Sequence, residues 1–464
     1  MIKILPHQHV DILSKYSDAI KSVDTVKLTG RVERIVGLTI EAMGPPVKYG
    51  DVCKIKLDRN KFLMAEVVGF NKNRIILMAI GDMKGIVPGA EVHAAGSSLA
   101  ISAGPELLGR VISGIGEPMD GKGMIEATQS YPLDSHGLNP LSRTLIETPL
   151  SVGIRSIDGL ITVGRGQRIG IFAGSGVGKS TLIGMIARYT NADVNVIALI
   201  GERGREVKDF IEKELGRDGL ARSVVVVATS DMPPMVRLRG ASIAHAIAEY
   251  FRDQGLAVNL LMDSITRYAE AQREVGLAAG EPAATRGYPP SVFSMIPKLI
   301  ERAGTSGSGG SITGFYSVLV EGDDMNEPIA DTARGRLDGH IVLNRKLANR
   351  GHYPSIDVLA SVSRCMKDVV SAEHAAAAAK FRRLLAAYSE VEDLINLNAY
   401  AKGSNPDADK AIQMKADMDS FLTQGIRESE SFDSTVSRLE AMFAERRSAL
   451  AGMAARTALS RIAR

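Results

Sequence analysis

The spacing of apolar and polar positions divides the chain into regions of different character. Between residues 24 and 95, short apolar-rich segments alternate with Gly and Pro, a pattern that predicts a small antiparallel barrel or sandwich. The segments are VKLTGRVERIVG, LTIEAM, GPPVKYGD, VCKIKLD, FLMAEVVGF and RIILMAI. Before them, apolar residues recur at helical spacing. Residues 1–23 are therefore predicted to be a helical segment, packed either on this protein or on a partner; its apolar positions are Ile12, Leu13, Tyr16, Ile20 and Val23.

Between residues 96 and 368 the pattern changes to continuous apolar runs separated by helical stretches. The runs are RIGIFA, VNVIALIG, SVVVVATS, AVNLLMDS and YSVLVEG, with TLIGMIARYT and SIAHAIAEYFRDQG among the helical stretches. Strands that alternate with helices predict a mostly parallel sheet covered on both faces. From residue 369 to residue 464 the strand pattern stops, and EHAAAAAKFRRLLAAYSEVEDLINL and SVSRLEAMFAERRSALAGMAARTALSRIAR favour helix. The predicted fold class is α/β, with a β-barrel domain, a central domain and a C-terminal helical domain.

Composition narrows the possible functions. Hydrophobic residues make up 45% and charged residues 23% of the chain, and the net charge is +3. These values are typical of a soluble globular protein and give no sign of a polyanionic partner. Only two cysteines are present, which excludes a disulfide framework and favours a reducing cytosol. The N-terminal residues lack the features of a signal peptide, and no apolar run approaches the roughly 20 residues that span a bilayer.

The strongest chemical signal is FAGSGVGKST, which follows the strand RIGIFA and opens the helix TLIGMIAR. It matches the phosphate-binding pattern G-x-x-x-x-G-K-[ST] except at its first position, where Ala173 replaces glycine. Backbone N–H groups of such a loop, together with the helix N-terminus, form an anion site. Lys179 is predicted to reach the β- and γ-phosphates and Ser180 to bind Mg²⁺. The predicted nucleotide-binding residues of the loop are Gly174, Ser175, Gly176, Val177, Gly178, Lys179, Ser180 and Thr181.

Two further segments supply carboxylates at the ends of predicted strands. Asp263 ends AVNLLMDS, which is the form of a second, magnesium-supporting acid, although strands also end in Asp where a turn begins. GERGREV follows VNVIALI, at the edge of a parallel sheet where ligands bind. There Glu202 is a candidate base for the attacking water, Arg203 a candidate partner of the γ-phosphate, and Glu206 a candidate partner of a magnesium-bound water. Without the phosphate loop, the same segment would be as consistent with a solvated charged turn.

The order of motifs resembles one family. GSGVGKST, LIGERGREV, LLMDSITRYAEAQREV, GYPPSVF and YPSIDVLASVSR, in that order, are similar to the catalytic family of rotary-type ATPases, which includes the F-type β subunits and the type III secretion ATPases. The resemblance covers nearly the whole chain and implies a central RecA-like P-loop domain. It is greatest to the flagellar protein-export branch. The segments that carry this likeness are GVGKSTLIGMIARYTNADVNVIALIGERGREVKDFIEKELG and GRVERIVGLTIEAMGPPVKYGDVCKI.

The resemblance also implies roles for single residues. Lys179 would contact phosphate, Ser180 would ligate Mg²⁺, and Asp263 would support the metal through its hydration shell. Glu202 would act as general base on water. Two arginines would help to hold the phosphate end, Arg203 and Arg267.

Tyr353 and Arg364 flank the segment PSIDVLASVS. The resemblance implies that Tyr353 stacks on the adenine of ATP and that Arg364 is an arginine finger that serves the site of a neighbouring subunit. Without the rest of the motif pattern, Tyr353 would be interpreted as a packing tyrosine and Arg364 as a solvated arginine.

The implied activity is Mg²⁺-dependent ATP hydrolysis by a homo-oligomeric ring, expected to be a hexamer, that energises flagellar protein export. The implied partners are a regulator or stator protein, a stalk protein, an export gate, and export chaperones and substrates. The expected location is the cytoplasm, peripheral to the inner membrane at the flagellar base.

Four alternatives stay open. One is an injectisome secretion ATPase, and another is the catalytic subunit of a rotary ATP synthase, although the acidic rotor-binding run DELSEED is absent. A third is a non-catalytic nucleotide-binding subunit, against which Glu202 argues. The last is a nucleic-acid translocase, but the weak net charge and the lack of aromatic–basic motifs argue against nucleic acid as a partner.

Overall fold

The computed structural model describes residues 28–95, 99–127, 129–135, 137–320, 322 and 324–444. The chain divides between Ser97 and Ser98 into two compact units. The helical segment predicted at residues 1–23 lies outside the described residues, as does the part of the last predicted helix that follows Ala444.

The first unit contains a closed barrel of six antiparallel strands, as the turn spacing predicts. Around the barrel the strands follow the order β1-β2-β5-β4-β3-β6. Alternate side chains point inward, and those of Ile40, Ile55 and Leu77 are fully buried. The strands are β1 (Thr29–Val36), β2 (Thr39–Met43), β3 (Val52–Asp58), β4 (Lys61–Asn71), β5 (Arg74–Ala79) and β6 (Glu91–Ala94).

One detail of the predicted barrel is wrong. GPPVKYGD, at residues 44–51, forms no strand. Gly44 adopts a positive φ of 57°, and the two prolines that follow have no N–H to donate to a ladder. The sixth strand is instead β6, which pairs with both β1 and β3 and so closes the barrel. Its four residues are too few to show a clear alternation.

A mostly parallel sheet forms the centre of the second unit, as predicted. Its strands lie in the order β19-β18-β12-β17-β15-β13-β14-β8, and β16 pairs with β17. β13, β14 and β15 are buried along their whole length, which explains their continuous apolar sequences. The strands are β8 (Arg110–Ser113), β12 (Arg168–Ala173), β13 (Val194–Ile200), β14 (Ser223–Ala228), β15 (Ala257–Asp263), β16 (Gly304–Thr305), β17 (Ser311–Leu319), β18 (Gly339–Leu343) and β19 (Ile356–Ser363).

Two short strand pairs and a set of helices complete the unit. β7 (Ala100–Ala103) pairs with β9 (Gln129–Pro132), and β10 (Pro149–Leu150) pairs with β11 (Val163–Gly164). A π-helical segment, Phe210–Leu215, separates the helix Gly204–Asp209 from the helix Gly216–Ala221. The helices are α1 (Arg155–Leu160), α2 (Lys179–Tyr189), α3 (Gly204–Asp209), α4 (Gly216–Ala221), α5 (Pro234–Asp253), α6 (Ile265–Ala278), α7 (Pro290–Ile300), α8 (Pro328–Arg336), α9 (Arg345–Asn349), α10 (Met366–Val369), α11 (Ala372–Asn396), α12 (Pro406–Leu422) and α13 (Phe432–Phe443).

The C-terminal part is helical, as predicted, but it shares a core with the sheet. Phe381, Phe421 and Leu439 belong to the same buried apolar cluster as Ile169 and Ile171 of β12. The domain boundary between residues 368 and 369 therefore stays a prediction. None of the helices in the described part of the chain combines the length and the apolar character needed to cross a bilayer.

Candidate active site

The candidate residues lie where parallel strands end. In the sheet Ala173 is paired with Leu319, and Leu199 with Asp263. The C-terminal ends of β12, β13, β15 and β17 therefore meet at one edge, which is where ligands bind in parallel sheets. The phosphate-binding loop follows β12, and the GERGREV segment follows β13.

The phosphate-binding loop has the conformation of an anion site. Gly176 and Gly178 both have positive φ, at 76° and 96°, values that glycine adopts without strain. α2 begins directly afterwards at Lys179, so that its N-terminus opens toward the loop. Ser180 is exposed. The hydroxyl of Thr181 donates to Glu214 Oε1 at 3.1 Å, so a phosphate contact of Thr181 would have to come from its backbone N–H.

Three charged side chains form a buried cluster beside this loop. Lys179 Nζ lies 2.5 Å from Asp263 Oδ1 and 3.3 Å from Glu202 Oε1. The Ser317 hydroxyl also donates to Asp263 Oδ1, at 2.6 Å. Their side chains are 12%, 5% and 16% exposed for Lys179, Asp263 and Glu202. One ammonium group thus balances two carboxylates that β13 and β15 deliver to the same edge.

The surroundings shift the pKa values of two members of the cluster. Burial alone would lower the pKa of Lys179, but the Asp263 and Glu202 carboxylates outweigh burial and raise it. Burial raises the pKa of Glu202 to about 7, and the negative charge of Asp263 and a hydrogen bond with Glu206 act in the same direction. A carboxyl group that titrates near neutral pH can accept a proton from water during catalysis.

The two arginines implied for the phosphate end contact other acids in this structure. Arg203 is 82% exposed and lies 3.8 Å from Glu206. Arg267 Nη1 lies 2.7 Å from Glu270 Oε2. The backbone of Gly201, at the end of β13, packs against the Arg267 side chain. Both arginines therefore border the Lys179 cluster without joining it.

Tyr353 lies beside the phosphate-binding loop of its own chain. A Cβ placed on Gly178 would be 3.7 Å from Tyr353 Cε1, so the ring lies in contact distance of the loop. Tyr353 is 45% exposed. The ring is thus open to solvent and can receive a flat group.

Arg364 lies on the opposite side of the sheet from the loop, where the parallel strands begin. β19 runs antiparallel to β18, with Ile356 opposite Leu343 and Ser363 opposite Gly339. Since Leu343 ends a strand parallel to β12, Arg364 follows the end of β19 that is remote from the loop. Arg364 is exposed, and among the described residues its guanidinium has no hydrogen bond or ion pair.

Three residues at this site were not predicted from the sequence. Ser317 contacts Asp263, and a polar residue in the apolar run YSVLVEG was the available signal. Ser355 and Arg345 contact the loop backbone. No sequence pattern indicated either contact, because both depend on the pairing of β18 with β12.

Models of known protein families match most of the chain. The model of the ATP synthase alpha/beta family nucleotide-binding domain matches residues 153–363. The beta-barrel domain of the same family matches residues 32–96, and the T3SS EscN ATPase C-terminal domain matches residues 370–441. A flagellum-specific ATP synthase of Bacillus subtilis is 53% identical over 427 residues, which cover 92% of this chain and 97% of that protein.

The chain belongs to the ATP synthase alpha/beta family. Like its relatives, it is an ATPase. A type 3 secretion system ATPase of Xanthomonas euvesicatoria is 50% identical over 88% of this chain and 93% of that protein. Among solved structures, the assembled ATPase EscN from the enteropathogenic E. coli type III secretion system superposes with a TM-score of 0.85 at 45% identity, covering 89% of this chain and all of that one.

Proposed function

We propose that this ATPase hydrolyses Mg·ATP to energise protein export through the flagellar type III apparatus. The observation that carries the catalytic part is the Lys179–Asp263–Glu202 cluster at the mouth of the phosphate-binding loop. The flagellar part is supported by the flagellum-specific relative, at 53% identity. A non-catalytic role is disfavoured, because such a site has no need of a carboxyl group that is only 16% exposed beside the loop.

Each side chain of the cluster has a chemical task in this proposal. Lys179 would exchange part of its contact with the carboxylates for the β- and γ-phosphates of ATP. Glu202 would accept the proton of the attacking water. Arg203 and Arg267 would turn toward the phosphate end, since both border the cluster and neither is buried.

The oxygen donors at this edge fit Mg²⁺, which prefers oxygen ligands and usually keeps several waters beside nucleotide phosphates. Lys179 and Ser317 both contact Asp263 Oδ1, which leaves Oδ2 without a hydrogen-bond partner among the described residues. Ser180 would ligate the ion, and Asp263 and Glu206 would hold it through its bound waters. Its charge would offset the negative charge that develops on the phosphate oxygens.

The remote position of Arg364 supports a ring. An arginine finger must touch the γ-phosphate, and Arg364 lies beyond the end of β19 that is remote from its own loop. Arg364 would therefore serve a neighbouring copy, in a homo-oligomer that we expect to be a hexamer. One relative of known structure is assembled, and another structure holds EscN in complex with its central stalk EscO.

A comparable stalk protein is proposed as a partner of this chain, together with a regulator protein, an export gate, and export chaperones and substrates. The proposed location is the cytoplasm, at the inner-membrane face of the flagellar base. Residues 370–441, in the C-terminal helical region, match the model of the T3SS EscN ATPase C-terminal domain. This region is therefore the proposed contact region for export partners.

The test is genetic and biochemical. Deletion of the gene should abolish motility and filament export, and the wild-type gene supplied in trans should restore both. A Glu202→Gln allele, expressed at the same level, should restore neither. Retained filament export in the deletion strain would contradict the flagellar assignment.

Secretion of virulence proteins is the second candidate, because a type 3 secretion system ATPase is 50% identical. The two are separated by complementation. The chain should restore export in a strain that lacks its flagellar ATPase and not in one that lacks its injectisome ATPase; the reverse result would favour the second candidate.

A further inference from the structure

Two side chains hold the phosphate-binding loop from outside. The buried hydroxyl of Ser355 donates to the carbonyl oxygen of Val177 at 2.6 Å. Arg345 Nη1 donates to the carbonyl oxygen of Ser175 at 3.0 Å. Neither residue belongs to the charge cluster described above. Both contacts are made to backbone carbonyl oxygens of the loop. They therefore restrain the backbone conformation of the loop and do not involve its side chains.

The geometry of the peptide group gives these contacts a consequence. In a planar trans peptide the C=O and the following N–H point in opposite directions. Bonds that draw the Ser175 and Val177 carbonyls outward therefore aim the N–H groups of Gly176 and Gly178 inward. Among the described residues neither N–H has a hydrogen-bond partner, so both stay available to an anion. Such convergent N–H groups are what binds phosphate in a loop of this kind.

The loop needs an external support because its own sequence gives little. Gly176 and Gly178 have no side chain to restrict their backbone, and their peptide groups are free to rotate once the carbonyls are released. The support itself is held together, since Asn344 N donates to Ser355 O at 2.8 Å and Asn344 Nδ2 donates to Asp357 at 2.9 Å. Hydrogen bonds from Asn344 thus link the segment that carries Ser355 to the residue that precedes Arg345.

We propose that Ser355 and Arg345 are positioning residues that keep two peptide groups of the loop in their phosphate-binding orientation. The inference rests on the proposed function, in which this loop binds the phosphates of ATP. Tyr353, two residues before Ser355, belongs to the same segment and contacts Gly178. One segment then serves both ends of the nucleotide, because Tyr353 would receive the base while Ser355 shapes the cradle for the phosphates.

The test compares two buried serines of neighbouring sequence. Ser355 and Ser361 are each 1% exposed, and each donates to a backbone carbonyl at 2.6 Å. Only Ser355 contacts the loop. Ser361 Oγ also accepts from the Val342 N–H at 2.9 Å, so Ser361→Ala should lower the melting temperature at least as much as Ser355→Ala. Only Ser355→Ala should weaken ligand binding.

Calorimetric titration with magnesium pyrophosphate and with Mg·ATP gives the decisive readout. Ser355→Ala should weaken both by about tenfold, the upper range for one hydrogen bond. The two factors should be equal, because the N–H groups contact only phosphate. Tyr353→Ala, in contrast, should weaken Mg·ATP and leave pyrophosphate unchanged. Arg345→Ala should weaken both ligands by a smaller factor, since an exposed bond competes with water, and Arg345→Lys should restore part of the loss.

The outcomes separate this inference from the proposed function. Wild-type pyrophosphate binding by both Ser355→Ala and Arg345→Ala, with Lys179→Ala impaired, would overturn the inference and leave the proposed function standing. Equal losses in Ser355→Ala and Ser361→Ala would also overturn it, since the effect would then be one of stability. Unimpaired pyrophosphate binding by Lys179→Ala would contradict the proposed function, because the loop would then not be the phosphate site. If Ser355→Ala fails to fold, the variants Arg345→Ala and Arg345→Lys, at an exposed position, test whether the loop carbonyls need this support.

Discussion

Tyr353 and Arg364 lie at opposite edges of the sheet, beyond the two ends of the strand β19. The strand has eight residues, which at ~3.3 Å per residue separates its ends by roughly 25 Å. Tyr353 contacts the phosphate-binding loop of its own chain, whereas Arg364 follows the end of β19 that is remote from that loop. One short segment can therefore contribute to two different nucleotide sites only if a second copy of the chain stands beside the first.

The Tyr353 ring is predicted to bind the base and not the phosphates. Tyr353→Ala should weaken Mg·ATP binding about tenfold, since base–aromatic stacking contributes ~1–3 kcal/mol. Tyr353→Phe should bind almost normally, because the ring provides the contact. Titration of both variants with Mg·ATP checks this, and an equal loss in the two would mean that the hydroxyl carries the contact.

Lys179→Ala is predicted to abolish hydrolysis and to weaken nucleotide binding. The variant loses the charge on the phosphates and also leaves Asp263 and Glu202 together without a counter-ion. Lys213, which forms a surface ion pair with Asp209, provides the control, and Lys213→Ala should hydrolyse ATP normally. Phosphate release measured on purified protein is the assay; near-normal turnover of Lys179→Ala would exclude this loop as the active site.

Glu202→Gln should bind Mg·ATP with little loss but hydrolyse it far more slowly. The amide keeps the shape of the carboxyl group yet cannot accept a proton from water. Quenched-flow measurement of bound ATP should show that uncleaved nucleotide accumulates. A reduction in kcat below about tenfold, or ~1.4 kcal/mol of barrier, would place the base elsewhere.

The pH profile of hydrolysis should carry the signature of Glu202. Its pKa is raised to about 7, and only the deprotonated form can act as a base. The value of kcat/KM should therefore be level above about pH 7 and fall about tenfold for each pH unit below it. The residual activity of Glu202→Gln should lack this slope. A wild-type profile that stays level down to pH 5.5 would show that no such group controls the reaction.

Local patterns predicted most of the architecture. The apolar runs of β13, β14 and β15 are buried on both faces, and such strands are evident from sequence. The loop–helix unit around Lys179 was equally clear, because its glycines and its following helix are adjacent in the chain. The sixth barrel strand was missed, since Glu91–Ala94 is short and mixed in polarity. Helix Pro406–Leu422 was also not predicted, although Asn405 before Pro406 is a good helix start.

Side-chain contacts between distant segments could not be predicted from the sequence. Asp263 was predicted as a second acid from its place at a strand end. Its bond to Ser317 depends on the register of β15 with β17, and its bond to Lys179 depends also on the pairing of β12 with β17. The support that Ser355 gives to Val177 depends on the order of β12, β18 and β19 in the sheet. Thr181 was predicted to bind the nucleotide, and the bond of its hydroxyl to Glu214 shows that a place in the motif does not fix the direction of a side chain.

The most direct test of the account is a mixture of two inactive variants. Arg364→Ala keeps its loop but lacks the finger, and Lys179→Ala keeps the finger but lacks a working loop; fingers of this kind contribute about 10³–10⁵ in rate. In a mixed ring, an Arg364→Ala subunit can receive Arg364 from its neighbour. We predict that ATP hydrolysis by the mixture exceeds the sum of the two variants, most clearly near equal proportions and only at concentrations where rings form. A mixture that stays inactive after mixed assembly has been verified would contradict the account, because Arg364 would then act within its own subunit or outside catalysis.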